Sequence, residues 1–284
     1  MGKVRIIADS TCDLSPELLE KYEIDVIPLC IVMDDKSYYD KVDVTPEEIF
    51  QWADANKTTP KTSAASFESV TEQLRKYKDA GDEVIYIGIS EDMSTTCNVF
   101  RLAADDLEFD KLYIVNSMNL STGEGLQILR AADLAKEGKT AEEIVETISE
   151  LRPYVRASFV VDNLTYLARG GRCSQATALL ANTLQLKPKI EVKMGKMGVG
   201  HKYRGRLSKV LLKYAEDMKE DLLVSNSKRV FVTHTVGMDR ELVESVLTYL
   251  KDLNYFEEII ETEAGGVISS HCGRNTLGIL YYEK

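Results

Sequence analysis

The 284-residue chain has no apolar run longer than about eight residues, Val26–Met33 being typical. A membrane helix needs roughly 20, so no stable membrane insertion is expected. The opening MGKVRIIADS passes straight into a strand-like run, with neither an apolar leader nor the Ser or Thr of a myristoylation signal. Paired cysteines are missing as well. Five cysteines without a CxxC fit reduced thiols better than a disulfide framework, and the expected location is the cytoplasm. Positive charge is in deficit, with 35 basic against 46 acidic residues and a net charge of −11, which argues against nucleic acid as a partner. The three histidines, His201, His234 and His271, are far apart and form no HxxxH, so no metal site is expected. There is no GxxxxGK[ST] loop, no GxGxxG after the first strand and no GxSxG elbow. Phosphate-loop ATP binding, a dinucleotide fold and an α/β-hydrolase nucleophile are thereby disfavoured. GKMGVG (195–200) reads as hairpin turns, and no cofactor is expected.

What is present is a globular composition, 44% apolar and 29% charged, arranged as strands alternating with helices. VRIIADS (4–10) reads as a strand. SPELLEKY (15–22) is a helix capped by Ser15 with Pro16 in first position. IDVIPLCIVMDDKSYYD (24–40) looks like one hairpin turning at Asp34–Lys36. Thr45-Pro46-Glu47-Glu48 opens a helix with a capping box. DEVIYIGIS (82–90) and KLYIVNS (111–117) are strands, each followed by a helix. This alternation predicts a parallel sheet with helices on its faces, whose ligands sit beyond the strands' carboxyl ends. Small polar residues stand there: Asp9-Ser10-Thr11, Ser90 to Thr95, and Asn116-Ser117.

After Pro153 the pattern shifts to a strand, a helix broken at Gly170-Gly171, and a second helix through 174–184. A Gly-turned hairpin (187–206) and a helix (208–223) come next. Strand, turn and helix then lead to a strand, a loop around His271 and a last strand. The expected division is 1–154 and 155–284, two α/β units packed closely.

The chemistry on offer is hydroxyls and one histidine. TTPKTSAAS (58–66) supplies Thr62, Ser63 and Ser66; DMSTT (92–96) supplies Ser94, Thr95 and Thr96 at a helix start. Hydroxyl donors, helix N–H groups and an imidazole together suit a carboxylate. Taken singly, Ser94 or Thr95 also reads as a plain helix cap, Thr62 and Ser63 as loop residues, and His271 as a satisfied buried histidine. Arg169 and Arg172 of RGGR, with Arg204, read either as solvated charges or as a basic lip that docks a phosphate-carrying partner.

ADSTCDLSPEL, KTSAAS, IGISEDMSTTCN, VNSMNLSTGEG, FVVDNLTYLARGGRCS, LKPKI and SHCGRNTLGILYY follow one another across the chain in an order that resembles the DegV family. The resemblance implies a two-domain α/β fold of EDD type: a parallel, Rossmann-like N-terminal sheet, a second α/β domain with a mixed sheet, and a lipid bound between them. It implies a non-enzymatic protein that holds one long-chain fatty acid. Thr62, Ser94 and His271 would face the carboxylate, with Ser63 and Thr95 beside them. A separate ATP-binding fatty acid kinase, related to dihydroxyacetone kinases, would convert the presented carboxylate to an acyl phosphate. An acyl chain of about sixteen carbons offers up to about 12 kcal/mol of burial before binding costs.

The sequence departs from the family pattern in three places. Thr95, Thr96 and Cys97 stand where a glycine and an aromatic usually follow the serine. Ala64-Ala65 replaces Gln-Pro, and Arg274-Asn275 replaces Pro-Gly. Two rival readings are a serine-dependent acyl hydrolase, pairing Ser94 and His271 with Asp162 or Asp9, and a regulatory lipid-binding protein without a kinase partner.

Overall fold

A computed structural model describes residues 2–179 and 186–284. In the first part of the chain, strands β1 (Val4–Asp9), β2 (Ile24–Ile27), β3 (Cys30–Met33), β4 (Lys36–Tyr39), β5 (Lys61–Ser63), β6 (Glu83–Gly88) and β7 (Leu112–Asn116) alternate with helices α1 (Pro16–Tyr22), α2 (Pro46–Asn56), α3 (Phe67–Ala80), α4 (Thr96–Leu107), α5 (Thr122–Lys136) and α6 (Ala141–Leu151). After residue 154 come β8 (Val155–Val160), α7 (Thr165–Gly170), α8 (Ser174–Leu179), β9 (Leu186–Lys193), β10 (Lys196–Arg204), α9 (Leu207–Asp217) and α10 (Lys219–Leu223). The chain finishes with β11 (Arg229–His234), α11 (Arg240–Asp252), β12 (Glu258–Glu263), α12 (Gly266–Cys272) and β13 (Leu277–Tyr282).

The fold is α/β. A four-stranded parallel sheet runs β2-β1-β6-β7, a mixed six-stranded sheet runs β10-β9-β8-β13-β11-β12, and a small antiparallel sheet runs β4-β3-β5. Local chemistry accounts for most element starts. Ser15 caps α1 ahead of Pro16, Thr45 and Glu48 form the capping box of α2, and Ser66 caps α3. The chain leaves β1 for β2 on one side, and β6 pairs on the other. The crevice of the parallel sheet therefore opens beyond the carboxyl ends of β1 and β6.

Helix α5 lies between the two large sheets, against β1 and β6 on one side and β8, β11 and β13 on the other. Eleven of its fifteen residues are buried, and only Arg130, Asp133, Ala135 and Lys136 form a partly exposed edge. One hydrophobic core cluster accordingly draws on both parts of the chain, from Ile6, Ile87 and Leu129 to Phe159, Ile190 and Leu280.

Several expectations need correction. The stretch 24–40 is not one hairpin. Ile24–Ile27 joins the parallel sheet, Pro28 interrupts it because it cannot donate to a ladder, and only Cys30–Tyr39 folds back, with Asp34 and Asp35 at φ 50° and 59° in the turn. Thr62 and Ser63 are on a strand, β5, rather than in a loop. The helix expected over 208–223 breaks at Met218 into α9 and α10. The helix expected over 174–184 is described only as far as Leu179, and its remainder lies outside the described residues.

The largest correction concerns His271, which sits on a helix and not in a loop. The N-cap of α12 is Gly265, which has no side chain to cap with. Its first N–H groups instead donate to carboxylates from the other end of the chain. Gly265 N–H donates to Asp13 Oδ1 and Gly266 N–H to Asp40 Oδ1, both at 2.7 Å. Asp13 also accepts from Ser121 Oγ at 2.7 Å and pairs with Lys41 Nζ at 3.3 Å, while Asp40 accepts from Ser10 Oγ at 2.8 Å. Both carboxylates are buried, and desolvation raises their pKa above the usual range, the Lys41 charge opposing it. Replacing Asp13 by Ala strands Lys41, Ser121 and Gly265 N–H together. The unfolding free energy should fall by about 2–4 kcal/mol, the scale of two buried donors left without an acceptor, read from the urea midpoint; a loss below about 1 kcal/mol would mean that α12 is held by something else.

Candidate functional site

Sizeable clefts among the described residues include ones of about 470 Å³ beside Arg152 and Lys189, about 570 Å³ beside Leu14 and Lys41, about 360 Å³ beside Arg130 and Tyr282, and about 440 Å³ beside His271, so volume does not separate them. Only the last combines an apolar lining with hydroxyl donors converging on a histidine, the pattern expected of a small-molecule site. Leu29, Ile89, Met93, Leu120, Met197 and Ile268 supply apolar wall; Thr62, Ser63, Ser94, Thr95, Arg172 and His271 supply polar groups, together with Glu91 and Asp92, which pair with Arg101 and Lys196. Residues before 154 and residues after it face each other across this cavity.

Each polar group is placed by a different element. β5 pairs with β3, setting Thr62 opposite Ile31. Ser94 and Thr95 belong to the turn between β6 and α4, where Ser94 N–H donates to Ser90 O at 3.0 Å. Asp9 steadies the start of that turn, accepting from Ile89 N–H at 3.0 Å and Tyr86 OH at 2.8 Å. Thr95 is the N-cap of α4 but its side chain makes no cap bond; Ser94 Oγ accepts from Thr96 N–H at 3.3 Å and pairs with Thr96 Oγ1 at 2.9 Å. His271 comes from the last turn of α12.

The imidazole of His271 is the electrostatic centre. Nε2 lies 2.8 Å from Thr62 Oγ1, and Nδ1 is buried without a partner. Burial, assisted by the nearby Arg172 charge, lowers its pKa to about 4, so the ring is neutral at pH 7. A neutral ring protonated at Nε2 donates to Thr62 and frees the threonine proton for another acceptor. Gly170, at the end of α7, packs on the ring: a Cβ there would lie 2.2 Å from Nδ1. That close approach is why α7 ends in glycine at this point, a reason that RGGR does not show by itself.

The basic residues separate. Arg172 lines the cavity and donates from Nε to Met93 O at 3.3 Å and from Nη1 to Gly170 O at 2.8 Å. Arg169 is exposed and reaches Lys57 O at 3.4 Å. Arg204 is exposed at the end of β10 and is not among the described residues lining the cavity. Met197 of the same strand is, and seven residues of strand put about 23 Å between them.

A serine triad does not assemble. His271 bonds to Thr62 rather than Ser94, and neither aspartate reaches its Nδ1. Asp162 pairs with Lys187 at 2.6 Å, and Asp9 is buried beneath the turn after β6. Among the described residues no group of three or more His, Cys, Asp or Glu is placed to hold a metal, and no helix is long and apolar enough to cross a membrane. The apolar wall was not singled out from the sequence, because its residues look like any others facing a core.

Known proteins share this architecture. A family model described as "Uncharacterised protein, DegV family" matches residues 3–284. A DegV domain-containing protein of Clostridium perfringens is 32% identical over 284 residues, covering 100% of both chains. Among solved structures, a fatty-acid-binding DegV family protein from Thermus thermophilus superimposes with a TM-score of 0.87 at 30% identity, covering 99% of each chain. A stearic-acid-binding protein from Eubacterium ventriosum gives a TM-score of 0.82 at 27% identity, covering 100% of this chain and 99% of that one.

The lowered pKa of His271 has a stability consequence. Between pH 6.5 and about 4 the unfolded chain binds a proton at this position that the folded, ligand-free protein does not. His271 therefore costs nothing above pH 6.5 and destabilises progressively below it. Urea titrations at pH 7.5 and 4.5 should show the wild type losing about 2.5 kcal/mol more than His271→Gln. Equal losses would show that the ring is solvated.

Proposed function

The chain belongs to the DegV family, and on that premise we propose that it binds one long-chain fatty acid in the cavity beside His271 and presents the carboxylate to a separate ATP-dependent kinase. The observation that carries the reading is an apolar cavity whose lining includes Ser94 and the hydrogen-bonded pair Thr62 and His271. Solved relatives described as binding fatty acids support the ligand class. The tail would run past Leu120, Ile268 and Cys272 towards a small apolar void bounded by Phe159, Ala264 and Leu280. Apolar wall supplies most of the affinity and the few polar groups fix which end faces out.

At the polar end, the neutral His271 donates from Nε2 to Thr62, whose hydroxyl then donates to the carboxylate; Ser94 donates a second hydrogen bond, with Ser63 and Thr95 at the edge. Held this way the carboxylate stays ionised, whereas without donors a buried carboxyl would take up a proton. An ionised oxygen is the nucleophile needed to attack a terminal phosphoryl group. Attack would form the acyl–oxygen–phosphorus bond and release the nucleoside diphosphate from the kinase. Arg172, which lines the cavity and is exposed, would meet that phosphate, and the exposed Arg169 would help dock the kinase. We also retain a division at residue 154, since every strand of the six-stranded sheet lies after it, and a cytoplasmic location.

Mass spectrometry of an organic extract of the purified protein should find about one fatty acid per chain; an empty extract from protein expressed in lipid-replete cells would count heavily against the reading. Thr62→Val and His271→Ala should each weaken fatty acid binding by about tenfold or more, the scale of one hydrogen bond to a charged group. His271→Gln, which keeps a donor towards Thr62, should bind more tightly than His271→Ala. Acyl phosphate formation with the kinase should fall in the same order. Full turnover by both Thr62→Val and His271→Ala would refute the assignment of the carboxylate site.

A further inference from the structure

The structure gives Arg274 a connected set of partners. Its guanidinium forms a two-pronged pair with Glu47 at 3.1 and 3.2 Å, lies 3.6 Å from Asp54, and sits over the Phe50 ring at 4.5 Å. Glu47, Phe50 and Asp54 are spaced i, i+3, i+7 along α2 and so share one face. Phe50 meets Tyr166 of α7 edge to face, with ring centroids 6.0 Å apart. Tyr166 in turn lies over Gly273, where φ is 76° and a Cβ would come within 2.7 Å of its ring. Tyr166 and Gly170 are four residues apart and present the same face of α7 to α12. Gly170 is the residue packed on the His271 imidazole.

We propose that Arg274 is a positioning residue for the carboxylate site. By clamping α2 and Tyr166 of α7 onto the end of α12, it sets the spacing between Gly170 and the His271 ring and holds Arg172 at the cavity mouth. The inference rests on the reading of this cavity as the fatty acid site. The ion pair is half-exposed, with side-chain exposures of 34% for Arg274 and 43% for Glu47, so dissolved salt screens it. Release of the lipid is therefore salt-sensitive, although the lipid's own apolar contacts are strengthened rather than weakened by salting out. The opposite signs of the two effects make the clamp measurable.

The test follows the release of a fluorescent long-chain fatty acid from the full chain by stopped flow, with thermal melts as the check on folding. Glu47→Gln and Arg274→Gln should each speed release about three- to tenfold, the scale of one partly exposed ion pair with its ring contact. Raising salt from about 0.05 M to about 1 M should speed release from the wild type, less from Glu47→Gln, where Asp54 still pairs with Arg274, and not from Arg274→Gln. Arg274→Lys, which keeps the charge but not the two-pronged geometry, should release at an intermediate rate with its salt response retained. Glu47 is half-exposed on α2, and Glu47→Gln keeps its size and shape, so it reports on the clamp even where Arg274→Gln folds poorly. Wild-type release and an unchanged salt response in Glu47→Gln would overturn the proposal. Failure of the wild type itself to take up the probe would instead remove the lipid reading on which the proposal rests.

Discussion

Two buried carboxylates, Asp13 and Asp40, hold the helix that carries His271, and the geometry of the cavity depends on them. A seven-residue helix opening on glycine has little stability of its own, since nucleation is unfavourable and short helices need tertiary support. Taking its first N–H groups onto carboxylates from the other end of the chain supplies that support and aligns negative charge with the positive end of the helix. It also fixes α12 relative to the turn after β1. The opposite end of α12 is fixed by Tyr166 and Arg274. Between these two anchors the imidazole has little room to turn.

Charge placement in the cavity follows from the same burial. A protonated imidazole would attract a carboxylate more strongly than a neutral one, but burial and Arg172 act against that form. The site is left with neutral hydroxyl and imidazole donors, one cation, Arg172, and two carboxylates, Glu91 and Asp92, that are paired with Arg101 and Lys196. Neutral hydrogen bonding orients an anion without neutralising it. Asp9 contributes at one remove, by holding the turn that presents Ser94.

Much of the fold was legible because its signals are local. Ser15, the Thr45–Glu48 capping box and the turn at Asp34–Asp35 act within a few residues of themselves. What was not legible depends on distant partners. α12 reads as a loop because the groups that cap it lie 252 and 226 positions away, and β5 reads as a loop because three residues show no alternation until β3 pairs with them. Thr62, Ser94 and His271 could be named from the family resemblance, and the structure brings all three to one cavity. Arg204 was grouped with Arg169 and Arg172 by charge alone, and a strand's length carries it away from them. The neutral state of His271 and its contact with Gly170 have no sequence signature, since both come from packing between helices far apart in the chain.

Helix α5, enclosed by sheet on both sides, has a consequence for how such a protein can change over generations. Each buried position on it answers to two sheets at once, so a substitution that suits one must be tolerated by the other. The two parts of the chain are therefore poor candidates for exchange between relatives as interchangeable modules. A chimera joined near residue 154 would bring together an α5 shaped by one ancestor and a six-stranded sheet shaped by another. Variation should accumulate in the rim and the loops, while the enclosed helix and both surfaces it touches drift only in concert.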